Sequence, residues 1–290
     1  MPSVSVRLTR RHLLCGISAA AMAATGRPAR AQGAPIPLGV LVPLTGAFAV
    51  YGQPMAKVAR AVIDEVNAAG GVNGRQIALT VEDDGSNPDG SVRGARKLIE
   101  VDRVVAIMGT YASAGTMAVA PLCWESKTFL ATISGADAIT QLPHQGFIVR
   151  TQPNTTLQGR KFGEFAIEQG AKRVQFVSPQ TPFAGSQFDN IALAVKKAGG
   201  TARTLIYDDK KPSYRGEVDE VMRANPDAVI FGGYTPDTTV MLKEFYRARF
   251  DGKKIAFGYS VNDNLLANIP AEVTEGAFTI SPSPAEGTDA

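Results

Sequence analysis

The side chains able to do covalent or redox chemistry are few and poorly grouped. Beyond residue 31 the chain holds one histidine, His144, and one cysteine, Cys123. A nucleophilic triad would have to pair Ser113 with His144. The run Tyr111-Ala-Ser-Ala-Gly115 puts Tyr where a nucleophile elbow needs its first Gly. His144 sits in the polar turn Leu142-Pro-His-Gln-Gly146 and reads as a solvated loop residue. A single cysteine closes no intrachain disulfide and builds no cysteine metal cluster. In the helical run 114–126, Cys123 reads as a small buried apolar residue. The acidic run Glu82-Asp-Asp-Gly-Ser-Asn-Pro-Asp-Gly90 lacks the alternate ligands and terminal Glu of a calcium loop. It reads as a strand-to-helix connection capped by Asp89 or Asp84. No G-x-G-x-x-G follows a strand, and no G-x-x-x-x-G-K-[ST] occurs, so neither a dinucleotide nor a nucleoside triphosphate site is supported. No cofactor and no metal are expected.

Other residues are suited to holding a small molecule. Gly109-Thr-Tyr-Ala-Ser-Ala-Gly-Thr116 follows a strand and opens a helix. Its small residues let a ligand approach the backbone, and Ser113 at the helix N-terminus favours a carboxylate or another acceptor. The alternative is that Ser113 only caps its helix. Ser134-Gly-Ala136 offers a second small, polar loop. Tyr51, Tyr111, Phe183 and Tyr234 fall at the ends of strand-to-helix loops in both halves of the chain.

The elements that position these residues alternate strictly. Strands are read at 38–43, 75–82, 104–108, 128–134 and 147–151, then at 173–177, 201–207, 227–231, 254–257 and 277–280. Helices are read at 53–69, 89–101 and 114–126, then at 155–169, 185–198, 214–224 and 237–250. In the first helix Ala56, Ala59, Val62, Ile63 and Val66 share a face. Continuous apolar runs such as Leu38-Gly-Val-Leu-Val-Pro43 suit strands buried on both faces. This order predicts an α/β fold with parallel sheets and right-handed crossovers. A boundary at Thr151-Gln-Pro-Asn154 gives an N-terminal lobe over 32–151 and a second lobe over 152–290. Two doubly wound lobes bind a ligand where the carboxyl ends of their strands face each other.

The net charge of +3 is set by the first 31 residues, which hold five arginines and no acid. That leaves 25 of the 30 basic residues against all 27 acidic ones. This balance, without a basic patch, argues against nucleic acid as a partner. Residues 1–31 read as an export signal. Arg10-Arg11 precede Leu13-Leu14, an apolar stretch runs to Ala24, and Ala29-Arg-Ala31 fits a cleavage site. The adjacent arginines resemble a twin-arginine signal. The apolar stretch is shorter than the roughly 20 residues a span needs. The mature chain is therefore expected in the periplasm without stable membrane insertion. Leu14 before Cys15 does not fit a lipobox.

Together these residues resemble the leucine/isoleucine/valine-type periplasmic binding proteins, the substrate-binding components of ABC importers. The resemblance rests on Leu38-Gly-Val-Leu-Val-Pro-Leu-Thr-Gly46 with Tyr51-Gly52, on Asn67-Ala-Ala-Gly-Gly-Val-Asn-Gly74, on Asp83-Asp84 with Pro88, on 109–116, on Arg150-Thr151, and on Gly232-Gly-Tyr234 leading to Asp237. It covers nearly all of residues 36–280. It implies two Rossmann-like lobes, hinged, that close on a small-molecule ligand and then dock on a membrane permease. It places the ligand's carboxylate at Ser113 with Tyr111 and Ala112, and a second loop at Ser134 and Ala136. It makes Tyr51 a ligand-covering aromatic, with Phe183, Tyr234 and Ser260 contributed by the second lobe.

The sequence departs from that family in three respects. Amino-acid-binding members carry a Glu where this chain has Gly258-Tyr-Ser260, so a ligand ammonium lacks its counter-charge unless Asp237 or Asp263 supplies it. Aromatic or short-chain acids, amides and urea-like ligands therefore stand beside amino acids as expected ligands. The cysteines of the family's small disulfide are replaced by Ser86 and Ala112. The chain ends at Ala290, so the resemblance implies a C-terminal truncation that leaves the second lobe and hinge incomplete. A ligand-sensing regulator of the same fold is the alternative reading, which the export signal opposes. An exported hydrolase using Ser113 and His144 is a weaker one.

Overall fold

The structure, a computed structural model, describes residues 33–143 and 146–281. The expected signal over residues 1–31, and His144, lie outside them. Two five-stranded sheets, each entirely parallel, account for the ten strands of the described chain.

In the first sheet, β1 (Ile36–Val42), β2 (Ile77–Asp83), β3 (Ala106–Gly109), β4 (Phe129–Thr132) and β5 (Ile148–Arg150) stand in the order β2-β1-β3-β4-β5. Helices α1 (Ala49–Ala68), α2 (Pro88–Arg96), α3 (Ser113–Glu125) and the short α4 (Ala138–Gln141) connect them. A π-helical turn, Lys97–Val101, continues α2. In the second sheet, β6 (Arg173–Pro179), β7 (Thr201–Tyr207), β8 (Ala228–Phe231), β9 (Lys253–Phe257) and β10 (Ala277–Ile280) repeat that order as β7-β6-β8-β9-β10. Their helices are α5 (Thr155–Glu168), α6 (Pro182–Lys197), α7 (Arg215–Arg223), α8 (Thr235–Arg247), α9 (Asp263–Asn268) and α10 (Ala271–Thr274). The chain passes between the sheets at 151–154, and Phe162 and Ala166 of α5 pack into the core of the second.

The cores follow the sheets. Leu41, Leu98, Ile107, Val119 and Leu130 fill one side of the first sheet. Phe176, Ile191, Ile230 and Phe257 fill one side of the second, and Val177, Phe231, Met241 and Phe245 the other. Cys123 is fully buried among the first set. On α1 only Ile63 of the expected apolar face is buried, and Val62 is half exposed. Val62 lies at the margin of the stripe that a 3.6-residue period defines.

Several helices begin earlier than the sequence reading places them. α6 starts at Pro182 behind Thr181, whose hydroxyl accepts from the Ala184 N–H at 3.1 Å. Proline is favoured at that position, where no donor is needed. α8 starts at Thr235, and the Asp237 carboxylate accepts from the Tyr234 N–H at 3.0 Å. α1 starts at Ala49, so Tyr51 belongs to its first turn and not to a loop. Phe183 likewise lies inside a helix. The cap of α2 is Asn87, which accepts from Gly90 N–H at 2.8 Å, not Asp84 or Asp89. Among the described residues no helix is long and apolar enough to cross a membrane.

Candidate ligand-binding cleft

In a parallel sheet of this order the chain reverses direction between the first and third strands, and the loops leaving those strands part to form a crevice. The first sheet opens such a crevice between β1 and β3, and the second between β6 and β8. Phe48 and Tyr51 follow β1, Tyr111 and Ser113 follow β3, Phe183 follows β6, and Tyr234 follows β8. The two crevices face each other and bring these side chains together.

The cavity between them measures about 300 Å³, and its walls come from Tyr111, Ser113, Ile133, Gly135, Gln152, Phe183, Tyr234, Gly258, Tyr259 and Ser281. Each wall residue lies just beyond the carboxyl end of a strand. Rings provide much of the surface. Tyr51 stacks on Tyr111 with centroids 4.4 Å apart, Phe48 meets Tyr234 at 4.5 Å, and Tyr259 stacks on Phe257 at 5.2 Å. None of the ten walls carries a charged side chain. The Tyr259 hydroxyl is buried without a hydrogen-bond partner among the described residues. Burial pushes the Tyr111, Tyr234 and Tyr259 phenols above their ordinary values. They stay protonated and present donors.

Of the residues singled out from the sequence, Tyr111, Ser113, Phe183 and Tyr234 line this cavity. Ser113 is the first residue of α3, and the cap position is Ala112, which offers no side-chain bond. The reading of Ser113 as its helix's cap is thereby corrected. Its Oγ accepts from the Ala136 N–H at 3.2 Å and keeps its own proton to donate. As the first residue of α3, its own N–H has no partner within the helix. Ala112 lines a smaller neighbouring cavity.

Four expected residues do other work. Tyr51 does not line the main cavity; its hydroxyl donates to Thr235 Oγ1 at 2.8 Å and accepts from Thr235 N–H at 2.7 Å, joining the lobes. Ser134 is 1% exposed and its hydroxyl bonds the Thr110 and Tyr111 carbonyls, both at 3.0 Å. It belongs to a buried knot with Thr110, Thr116 and Thr132. Ala136 does not line the cavity; its N–H donates to Ser113. Ser260 is fully buried and donates to the Gly233 carbonyl. The β4 loop instead faces the cavity with Ile133 and Gly135, because side chains alternate along extended backbone and the register differs by one.

Gly135 has a definite reason to be glycine, since a Cβ there would lie 2.5 Å from the Phe183 ring. Asp237 is engaged by Tyr234 N–H and by the Tyr207 hydroxyl, so it is not an unpaired counter-charge. Asp263 does not line the cavity. The sequence reading missed Phe48, Gln152, Tyr259 and Ser281. For Tyr259 a signal existed, as an aromatic directly following a strand.

A second set of bonds crosses the cleft away from Tyr51. The Ser186 hydroxyl of α6 donates to Asp137 at 2.9 Å, and Thr156 Oγ1 donates to the same carboxylate at 2.6 Å. Arg150 holds the β4–α4 loop from below through the Gly135 and Ala136 carbonyls at 3.0 and 2.8 Å. The lobes are therefore in direct contact around the cavity.

Residues 35–290 match the periplasmic binding protein family. The chain belongs to that family. It is 28% identical over 286 residues to Leu/Ile/Val-binding protein homolog 1 of Brucella melitensis, covering 97% of this chain and 75% of that one. The isoleucine-bound branched-chain amino acid transporter substrate-binding protein LivJ of Streptococcus pneumoniae superposes with a TM-score of 0.79 at 19% identity. That match covers 88% of this chain and 74% of LivJ. A solute-binding protein of an ABC transporter from Rhodopseudomonas palustris, in complex with 3,4-dihydroxybenzoic acid, gives 0.73 at 23% identity over 81% and 65% of the two chains. At such identities the structural likeness speaks for the fold, two parallel-sheet α/β lobes, and not for a shared ligand.

Proposed function

We propose that the protein is an extracytoplasmic substrate-binding component of an ABC importer and that its ligand is a small carboxylate with an aromatic or apolar body. The observation that carries this reading is the cavity itself. It is aromatic, without a charged side chain, and has one end at the N-terminus of α3. Ser113 there offers a hydroxyl proton and an N–H free of helix bonds, which suits an anionic oxygen. Tyr259 offers a donor with no hydrogen-bond partner among the described residues. The volume of about 300 Å³ falls at the small end of ligand pockets. Binding shifts the lobes toward the closed arrangement, and the closed form docks on a permease. The export signal read over 1–31, the lobe boundary near Thr151, and the periplasmic address belong to this same proposal. The ligand in the Rhodopseudomonas relative supports an aromatic acid, and that in LivJ keeps amino acids in the panel.

The test is thermal unfolding against matched sets: benzoate, phenylacetate and short-chain acids beside their amides and methyl esters, with amino acids and urea. A ligand at a hundredfold excess over its Kd stabilises by about 2.7 kcal/mol. Acids that raise the midpoint while their esters do not support the reading. Equal shifts with acid and ester overturn the carboxylate assignment. Turnover of any of these without binding would overturn the binding-protein role.

A further inference from the structure

A smaller cavity, about 90 Å³, lies beside the main one. The two share three walls, Ser113, Phe183 and Tyr234. The smaller one is completed by the loop after β2, by Phe48, by the first turn of α3, and by Thr181 and Pro182 of the other lobe. It too therefore sits between the lobes. It differs from the main cavity in one respect that matters chemically: an acidic residue, Asp84, is among its walls.

Asp84 is 3% exposed. Its Oδ1 accepts from the Ser86 N–H at 2.8 Å. Among the described residues its carboxyl receives only that hydrogen bond, the other oxygen keeps some contact with solvent, and no Lys or Arg lines the cavity. Burial pushes the carboxyl up to about 6, the Ser86 bond opposes this, and the neighbouring Asp83 adds to it. A nearly buried carboxylate without a second donor is costly. Asp83, one residue earlier, shows the contrast. It accepts from Leu44 N–H at 2.8 Å, Thr45 N–H at 3.2 Å and Gly85 N–H at 2.8 Å, and is held below the ordinary range by the Thr45 hydroxyl and those backbone donors. The loop thus satisfies one acid completely and leaves the next, a wall of a mostly apolar recess, with a single hydrogen bond. The recess has room for a small substituent and not for a ring.

We infer that this side cavity is a subsite of the ligand cleft and that Asp84 accepts a hydrogen bond from a donor, hydroxyl or ammonium, on the carbon next to the ligand's carboxylate. The position on the ligand follows from Ser113, which is a wall of both cavities. With the carboxylate at Ser113 and the ring in the main cavity, the substituent at carbon 2 is the one beside the recess. The inference rests on the carboxylate reading above and narrows it to 2-hydroxy or 2-amino acids. It also supplies an acid for a ligand donor where the β9 loop has none.

Phenylacetate, mandelate and 2-phenylglycine share ring and carboxylate and differ at carbon 2 by hydrogen, hydroxyl and ammonium. Their Kd values are measured by titration calorimetry on the wild-type protein, Asp84→Ala and Asp84→Asn. The Asn variant keeps an acceptor for Ser86 and turns an amide donor toward the recess. The expected result is that one or both donor-bearing acids bind wild type at least tenfold more tightly than phenylacetate. Both variants should reduce that gain below threefold while binding phenylacetate within threefold of wild type, which also shows that they fold. A gain that survives in both variants overturns the subsite. So does equal binding of all three acids to wild type, which leaves the carboxylate reading intact. Binding of none of the three overturns the subsite as assigned, while the carboxylate reading is decided separately by the acid and ester panel above.

Discussion

Tyr51→Phe isolates the closure of the cleft. The hydroxyl removed lies on the first lobe and its two hydrogen bonds, at 2.8 and 2.7 Å, go to one residue of the second. Thr235 Oγ1 loses little, because it still donates to the Ser260 carbonyl at 3.0 Å and receives Asn262 Nδ2 at 3.1 Å. Thr235 N–H is different. It is the first donor of α8 and has no partner within the helix. In the closed form it is left buried with nothing to bond, at a cost of about 1–3 kcal/mol. In an open form water reaches it, so the cost falls on closure alone. At 1.4 kcal/mol per tenfold, the closed population falls by roughly 5- to 150-fold, and the Kd of a ligand that selects it rises by the same factor. The ring and its stacking on Tyr111 remain, so unfolding of the ligand-free protein should change by less than about 0.5 kcal/mol. Burial raises the Tyr51 phenol, so it stays neutral and the effect should be flat from pH 5 to 8. Calorimetric Kd values beside urea unfolding curves read both quantities. A Kd change under twofold, or a loss of ligand-free stability as large as the loss of affinity, would refute the argument.

Gly135→Val should weaken binding at least tenfold with little change in ligand-free stability. Its Cβ would lie 2.5 and 2.9 Å from Phe183 ring atoms across the cleft, and a binding titration beside a thermal melt separates the two effects. Asp227→Ala should destabilise the second lobe by roughly 1–3 kcal/mol, because the carboxylate accepts from Lys172 and Arg173 N–H at 2.9 and 2.7 Å. Those backbone donors, and then the Arg173 charge, hold Asp227 below the ordinary carboxylate range. Its contribution is therefore complete above about pH 4 and is lost as pH falls through the lowered value, so urea unfolding of the two proteins should differ at pH 7 and converge in acid. Burial pushes the Cys123 thiol up to about 12. In a Cys15→Ser background an aromatic disulfide reagent at pH 8 should react only as the protein unfolds, and fast labelling of the native form would contradict that burial.

Much of this arrangement is legible in the chain. The alternation of apolar runs with amphipathic stretches is a local pattern, and β7 and β10 fall where it places them. Helix starts are the least legible part: Pro182 and Pro236 lie in the first turns of their helices, and Tyr51 and Phe183, read as loop residues, fall in the first turns of theirs. The contrast between Ser113 and Ser134 has another cause. Both are small polar residues after strands, and nothing local distinguishes one that faces a cavity from one whose hydroxyl is consumed by the Thr110 and Tyr111 carbonyls. Asp84 and Asp83 are likewise adjacent and alike in sequence, and only the loop's path decides which acid is fully bonded.

The sequence by itself determined the class of fold, the parallel sheets, the family, and the loops from which a site would be drawn. These depend on periodicity and on motifs that short stretches of chain carry whole. The tertiary structure alone decided which side chains in those loops meet. Tyr51 and Thr235 are 184 residues apart, and Gly135 is shaped by a phenylalanine of the other lobe. The uncharged main cavity and the acid in its side recess arise from packing two lobes face to face. That packing is set by the summed fit of many surfaces and leaves no mark on any one segment.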